Sequence, residues 1–276
     1  MVYEKLQKAY KAIRGKTDFE PELAIVLGSG LGKLADQVEV LGEISYKDIE
    51  GFPVSTAPGH KGRFIFTEIH GVKTVIMQGR VHYYEGYPMT DVVMPTRLMG
   101  LMGAKTLIVT NAAGGANPDF NVGDLMVIRD HISSLVPSPL IGQNINELGV
   151  RFPDMTEVYR KDYSDLIFKI GTKKGFNMRQ GVYCQFTGPA YETPSEVKMA
   201  ALLGGDAVGM STTVESIAAR HMGMDVCGIS LITNKAAGLG EELLSEQEVI
   251  DAGEAASEYF IELVLEFIKQ YQKCND

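Results

Sequence analysis

An α/β fold is predicted by three observations. Short apolar runs rich in Val and Ile recur along the chain, segments of helical periodicity lie between them, and 45% hydrophobic against 22% charged residues leaves ample apolar surface for a core. Tyr3, Leu6, Tyr10 and Ile13 repeat at spacings of three and four, so the basic N-terminus reads as an amphipathic first helix rather than a targeting peptide. Strands are expected at 23–27, 64–69, 72–77, 106–110, 125–128, 182–186 and 226–233. Helices are expected at 90–102, 158–173, 194–203, 212–222 and 246–272. There is no internal repeat, and the long irregular stretch 131–152 carries too many apolar residues to be a solvated linker. The expectation is one domain spanning 1–276, with a long functional or interface loop.

Charge and composition exclude several function classes. A net charge of -9, from 26 basic and 35 acidic residues, argues against a broad nucleic-acid surface but allows a local anion pocket. The longest stretch free of Asp, Glu, Lys and Arg, 131–146, is interrupted by Pro137, Pro139 and Gln143 and falls short of the roughly 18 apolar residues of a membrane span. Cys184, Cys227 and Cys274 are far apart with no C-x-x-C pair, so neither a disulfide framework nor a zinc site is indicated, and the setting reads as reducing and cytoplasmic.

Several segments point to an anion. Gly28-Ser29-Gly30-Leu31-Gly32-Lys33 follows a strand, and its glycines let backbone N–H groups approach a phosphate, although the spacing fits neither the dinucleotide fingerprint nor the Walker A loop. A plain Gly-rich turn is the alternative. In Gly79-Arg80-Val81-His82-Tyr83-Tyr84 the period of two puts Arg80, His82 and Tyr84 on one face, where an arginine fork beside an imidazole suits phosphate. His60, in Pro58-Gly59-His60, can join them; a metal held by His60 and His82 is disfavoured because Arg80 repels it. Each histidine can equally be a hydrogen-bonded structural residue.

Two helix starts carry capping boxes, Thr193-Pro194-Ser195-Glu196 and Thr212-Thr213-Val214-Glu215. Tyr191-Glu192 and Met210-Ser211 therefore lie near helix N-termini, where free N–H groups favour an anion. Ser211 is placed to contact phosphate. Glu192 either complements the dipole or faces a ligand, and Met210 otherwise packs in the core.

Together with Asn111-Ala112-Ala113-Gly114-Gly115, Gly188-Pro189-Ala190-Tyr191-Glu192-Thr193 and Thr233-Asn234-Lys235, these motifs run from about 25 to 237 in an order that closely resembles the trimeric purine nucleoside phosphorylases. The resemblance implies a single α/β domain with a central mixed, partly barrel-like sheet flanked by helices. It implies phosphorolysis of purine (deoxy)ribonucleosides in purine salvage, with inorganic phosphate as co-substrate and no metal or organic cofactor. By carry-over, Ser29, His60, Arg80, Val81, His82, Ala112 and Ser211 bind phosphate, and Tyr84 and Met210 contact the sugar. Tyr191, Glu192 and Asn234 hold the purine, with His82, Glu192 and Asn234 as the catalytic set. Similar proteins are homotrimers that complete each sugar pocket with an aromatic residue of the neighbouring subunit, a place matched here by Phe152. Where many relatives carry a histidine for the 5′-hydroxyl, this chain has Glu246, which either accepts the hydroxyl proton or serves as an N-terminal helix acid.

The residue types suit the implied chemistry. Glycosidic cleavage builds cationic character on the sugar, which a fixed phosphate stabilises, and negative charge on the departing base. The Asn234 amide can accept from N7–H and donate to O6 of a 6-oxopurine, while Glu192 accepts from N1–H. Asn234, where methylthioadenosine phosphorylases usually carry Asp, speaks against that relative. Hydrolysis by water calls for an acidic metal-binding cluster, and a non-catalytic nucleoside binder has little use for a phosphate cradle.

Overall fold

A computed structural model of the chain describes residues 2–57, 59–240, 243–271 and 274; Pro58 and Gln272, on which expectations above fell, lie outside the described residues. Among the described residues nine strands are present: β1 Leu23–Leu27, β2 Gly42–Ser45, β3 Arg63–Ile69, β4 Val72–Gln78, β5 Thr106–Gly115, β6 Leu125–Ile132, β7 Met178–Gln185, β8 Ala207–Gly209 and β9 Asp225–Lys235. The helices are α1 Val2–Arg14, α2 Met89–Val92, α3 Met94–Met102, α4 Lys161–Lys173, α5 Pro194–Leu202, α6 Thr213–His221 and α7 Glu246–Tyr271.

The strands run in the order β2-β3-β4-β1-β5-β8-β7-β6-β9, and β9 pairs back onto β5. Strands β5, β8, β7, β6 and β9 therefore close a five-stranded mixed barrel, and β1, β4, β3 and β2 extend from β5 as an open wing. Strand β1 lies between parallel neighbours β4 and β5, and all five of its residues are buried. A parallel strand covered on both faces must be apolar throughout, hence Leu-Ala-Ile-Val-Leu. One face packs under α1 and α3 through Leu6, Ile13, Leu98 and Met99, and the other under α4 and α7 through Ile167, Phe260, Leu263 and Phe267.

The structure departs from the sequence expectations at the edges. The helix expected over 90–102 is two helices meeting at Val93, with Pro95 inside the first turn of α3, where its missing N–H breaks no helical bond. Helix α4 begins at Lys161 rather than 158 because Tyr159 bridges Val226 and the Arg160 N–H donates to Val226 O at 2.8 Å. Strands β2 and β8 were not anticipated. No helix among the described residues is long and apolar enough to cross a membrane.

The fold brings the carboxyl ends of β1, β4, β5 and β9 to one side, which is where open parallel sheets form their crevices. Between Ala113↔Ile232 and Gly114↔Asn234 the β5–β9 register slips, leaving Thr233 as the extra residue. Such a bulge re-aims the side chain that follows. Here that residue is Asn234.

Candidate active site

Ser29, Arg80, His82, Tyr84, Ala112, Tyr191, Glu192, Met210, Ser211 and Asn234 line one cleft at these strand ends. Gly28 makes the first approach possible: a Cβ there would stand 2.5 Å from the Asn111 Cα and 2.8 Å from Thr110 O, so only glycine lets the turn after β1 lie against β5. At Gly79 φ is 112° and a Cβ would meet Gly62 N at 2.7 Å, so glycine also ends β4 and turns the chain toward Arg80.

Arg80 is 1% exposed, and its guanidinium is held by Glu215, Thr110 and Ser211, while Nη2 makes no hydrogen bond among the described residues. Nε donates to Glu215 Oε1 at 3.2 Å and Nη2 lies 3.1 Å from Glu215 Oε2, while Nη1 donates to Thr110 O at 2.9 Å and to Ser211 Oγ at 3.2 Å. The two histidines are arranged by equally specific partners. His60 Nδ1 accepts the Arg80 backbone N–H at 2.8 Å, so in the neutral ring Nε2 carries the proton and donates to Ser29 Oγ at 3.2 Å. The Ser29 hydroxyl hydrogen is thereby left for another acceptor. His82 Nδ1 stands 3.2 Å from Glu85 Oε1, which also accepts the His82 backbone N–H at 2.7 Å. Burial raises the Glu85 pKa, but bonds from His82 and Thr56 outweigh it and hold the carboxyl at about 2. Glu85 is thus an acceptor only, Nδ1 bears the hydrogen, and the neutral His82 ring has its lone pair on Nε2.

Desolvation, reinforced by His82 and Arg80, drives the His60 imidazole down to about 3. Desolvation also lowers His82, against the pull of Glu85. Both rings are neutral at physiological pH. With Arg80 matched by Glu215, this end of the cleft offers an oxyanion directed donors rather than a surplus of positive charge. The imidazoles meet edge to face, centroids 5.2 Å apart, and His82 stacks on Tyr84 at 4.7 Å.

The other end suits a polar heterocycle. Glu192 is 7% exposed, and burial raises its pKa. Its Oε1 has no hydrogen-bond partner among the described residues, which is costly in the interior unless a donor arrives. Asn234 Oδ1 accepts from Thr233 Oγ1 at 2.9 Å and Nδ2 donates to Lys235 O at 3.0 Å, leaving one lone pair and one N–H for the cleft. Tyr191 forms a partly exposed rim.

Four expected residues stand elsewhere. His60 is set behind Ser29, outside the cleft lining. The Val81 side chain is 1% exposed and does not line the cleft. Glu246 lines an adjoining cavity with Tyr84, Tyr191 and Met210 at the start of α7. Phe152 is 86% exposed, next to Pro153 and Met155 and away from its own chain's cleft. Sequence reasoning missed Glu85 and Asn111 and took Glu215 only for a helix cap. Glu85 carried a signal, lying three residues after His82 ahead of a Gly turn. Asn111 lines the cleft, and its Nδ2 donates to Thr212 Oγ1 at 3.0 Å. Among the described residues no three His, Cys, Asp or Glu side chains gather as a metal site.

Residues 22–269 match the family described as the phosphorylase superfamily. The purine nucleoside phosphorylase 1 of Geobacillus stearothermophilus is 47% identical, over 97% of this chain and 98% of that protein. The crystal structure of Schistosoma mansoni purine nucleoside phosphorylase in complex with adenosine superposes with a TM-score of 0.91 at 38% identity, covering 97% of each chain. The crystal structure of Schistosoma mansoni purine nucleoside phosphorylase in complex with inosine gives a TM-score of 0.89 at 37% identity, over 97% of this chain and 96% of that one. Matched over nearly its whole length by sequence and by fold, the chain belongs to the phosphorylase superfamily and, within it, to the purine nucleoside phosphorylases.

Proposed function

We propose that residues 1–276 form one purine nucleoside phosphorylase domain, in which inorganic phosphate attacks C1′ of a 6-oxopurine (deoxy)ribonucleoside such as inosine or guanosine and releases the free base and α-pentose 1-phosphate. The observation that carries the reading is the division of one cleft into a cradle of directed donors, Ser29, Arg80 and Ser211, beside the acceptor nitrogen of His82, and an opposite end with a buried Glu192, whose Oε1 has no hydrogen-bond partner among the described residues, beside Asn234.

Phosphate takes hydrogen bonds from the Ser29 hydroxyl, freed by His60, from the Ser211 hydroxyl and Arg80, and from the backbone at Ala112. His82 Nε2, a lone pair in the neutral ring, accepts a phosphate O–H. The nucleophilic oxygen is thus held near the sugar face flanked by Tyr84 and Met210, and its charge stabilises the cationic sugar as the glycosidic bond breaks. The electrons of that bond move onto the purine. Asn234 accepts from N7–H as the proton arrives there and donates its remaining N–H to O6, while Glu192 accepts from N1–H. A carboxylate in an apolar setting makes that last bond strong. Neither side chain becomes covalently attached to the sugar.

The enzyme serves purine salvage in the cytoplasm as a homotrimer, in which the exposed Phe152 of each subunit covers the sugar of its neighbour. Glu246, in the cavity next to Tyr84, accepts the 5′-hydroxyl proton. No metal or organic cofactor takes part in the proposed reaction. Release of hypoxanthine from inosine, followed with and without phosphate, tests the proposal.

A further inference from the structure

We infer that Glu215 is a positioning residue for this reaction, its single carboxylate holding Arg80 and the Ser211–Thr212 turn in register and so fixing two walls of the phosphate cradle. The inference rests on the phosphorolytic reading of the cleft. In the sequence Glu215 is the third residue of α6 and the acid of a capping box, a role that glutamine fills as well. A cap alone needs neither burial nor charge. Yet the Glu215 side chain is 2% exposed and so is that of Arg80. Burying an ion pair adds little or nothing to stability over apolar packing, so a cap has no use for it.

Both carboxylate oxygens are engaged. Oε1 accepts from Arg80 Nε at 3.2 Å; Oε2 lies 3.1 Å from Arg80 Nη2 and accepts the Thr212 backbone N–H at 3.0 Å. Arg80 follows β4 and Thr212 precedes α6, so one side chain ties together two segments from distant parts of the chain. On the Arg80 side, Nε and Nη2 face Glu215, which fixes the plane of the guanidinium and leaves Nη1 toward Ser211 Oγ and Thr110 O. On the other side, Thr212 has φ 85°, a backbone region that a β-branched residue rarely adopts. It is kept there by Glu215 on its N–H and by Asn111 Nδ2 on its hydroxyl. That turn aims Ser211 Oγ at Arg80. Without Glu215, Arg80 is free to rotate and the turn to relax, and the donors no longer converge. The opposing effect, an unbalanced Arg80 charge drawing phosphate more strongly, makes the outcome decisive.

The test uses inosine phosphorolysis by the intact enzyme and by Glu215→Gln, which keeps the side-chain size and the cap, and Glu215→Asp, which keeps the charge but is one methylene too short for both partners. We expect the phosphate KM to rise about tenfold or more in each, with the inosine KM within about twofold of the parent. In an Arg80→Ala background, Glu215→Gln should raise the phosphate KM by a smaller multiple than it does alone, because most of its route to phosphate has gone. A fall in the phosphate KM, an equal rise in both KM values, or multiplicative effects in the double variant would overturn the inference. If Glu215→Gln does not fold, Glu215→Asp carries the same comparison. Phosphate dependence of the parent enzyme is measured first: its absence removes the reading of the cleft, whereas its presence with unmoved Glu215 variants removes only the role of Glu215.

Discussion

Arg80 Nη1 donates to Ser211 Oγ at 3.2 Å across 131 residues of chain, joining the end of β4 to the start of α6. With Nη1 so engaged, Nη2, which makes no hydrogen bond among the described residues, is the guanidinium donor left for an anion. Arg80→Ala is expected to lose about 1.5–3 kcal/mol of phosphate binding, roughly a ten- to hundredfold rise in the phosphate KM, with a far smaller effect on inosine. Paired saturation curves check this. Equal weakening of both substrates would make Arg80 a structural residue.

Asn234 offers the cleft one acceptor and one donor, and Asn234→Asp replaces the donor with a second acceptor. Inosine then sets O6 against a carboxylate, whereas the 6-amino group of adenosine gains a partner. The ratio of kcat/KM values should swing toward adenosine by roughly 1–3 kcal/mol for each mispaired group, about five- to 150-fold. Both nucleosides are assayed side by side on both proteins; an unchanged ratio means Asn234 does not read position 6.

Phe152 is 86% exposed on a single chain, and the proposed trimer would place it over the sugar of a neighbouring subunit. Sedimentation is expected to show a trimer, and Phe152→Ala to impair nucleoside binding while the trimer stays intact. An active monomer would sink both the assembly and the shared pocket.

His60 is held neutral at about 3 against an ordinary 6.5, first by desolvation. The unfolded chain therefore takes up a proton below about pH 6.5 that the folded protein refuses, so this stabilising contribution is complete above that pH and is lost as pH falls toward about 3. One such group gives a slope of up to about 1.4 kcal/mol per pH unit. Glu85, lowered from 4.5 to about 2, adds its own loss only below pH 4.5. Urea unfolding at pH 7, 6 and 5 should thus show a shallower decline for His60→Asn than for the parent. Parallel profiles would mean that His60 does not resist protonation.

The buried strands β1, β3, β4 and the start of β5 were legible because a strand that is mostly covered is rich in Val, Ile, Leu, Phe and Met. Strand β2 was not, since an edge strand buries only Ile44 of its four residues. Strand β8 is three residues long and exists through its pairing with β5 and β7. Closure of the barrel by β5 and β9 leaves no local pattern, and only the family resemblance reached it. In the cleft, Arg80, His82 and Ser211 were readable as polar groups at a strand end and a helix cap. The second task of Glu215 was hidden because its partner lies 135 residues away.

Incubating the enzyme with inosine, with and without inorganic phosphate, and measuring both hypoxanthine and the sugar product distinguishes phosphorolysis from hydrolysis. Hypoxanthine is expected only when phosphate is present, with pentose 1-phosphate formed in equal amount. Hypoxanthine release at the same rate without phosphate, accompanied by free ribose, would contradict phosphorolysis.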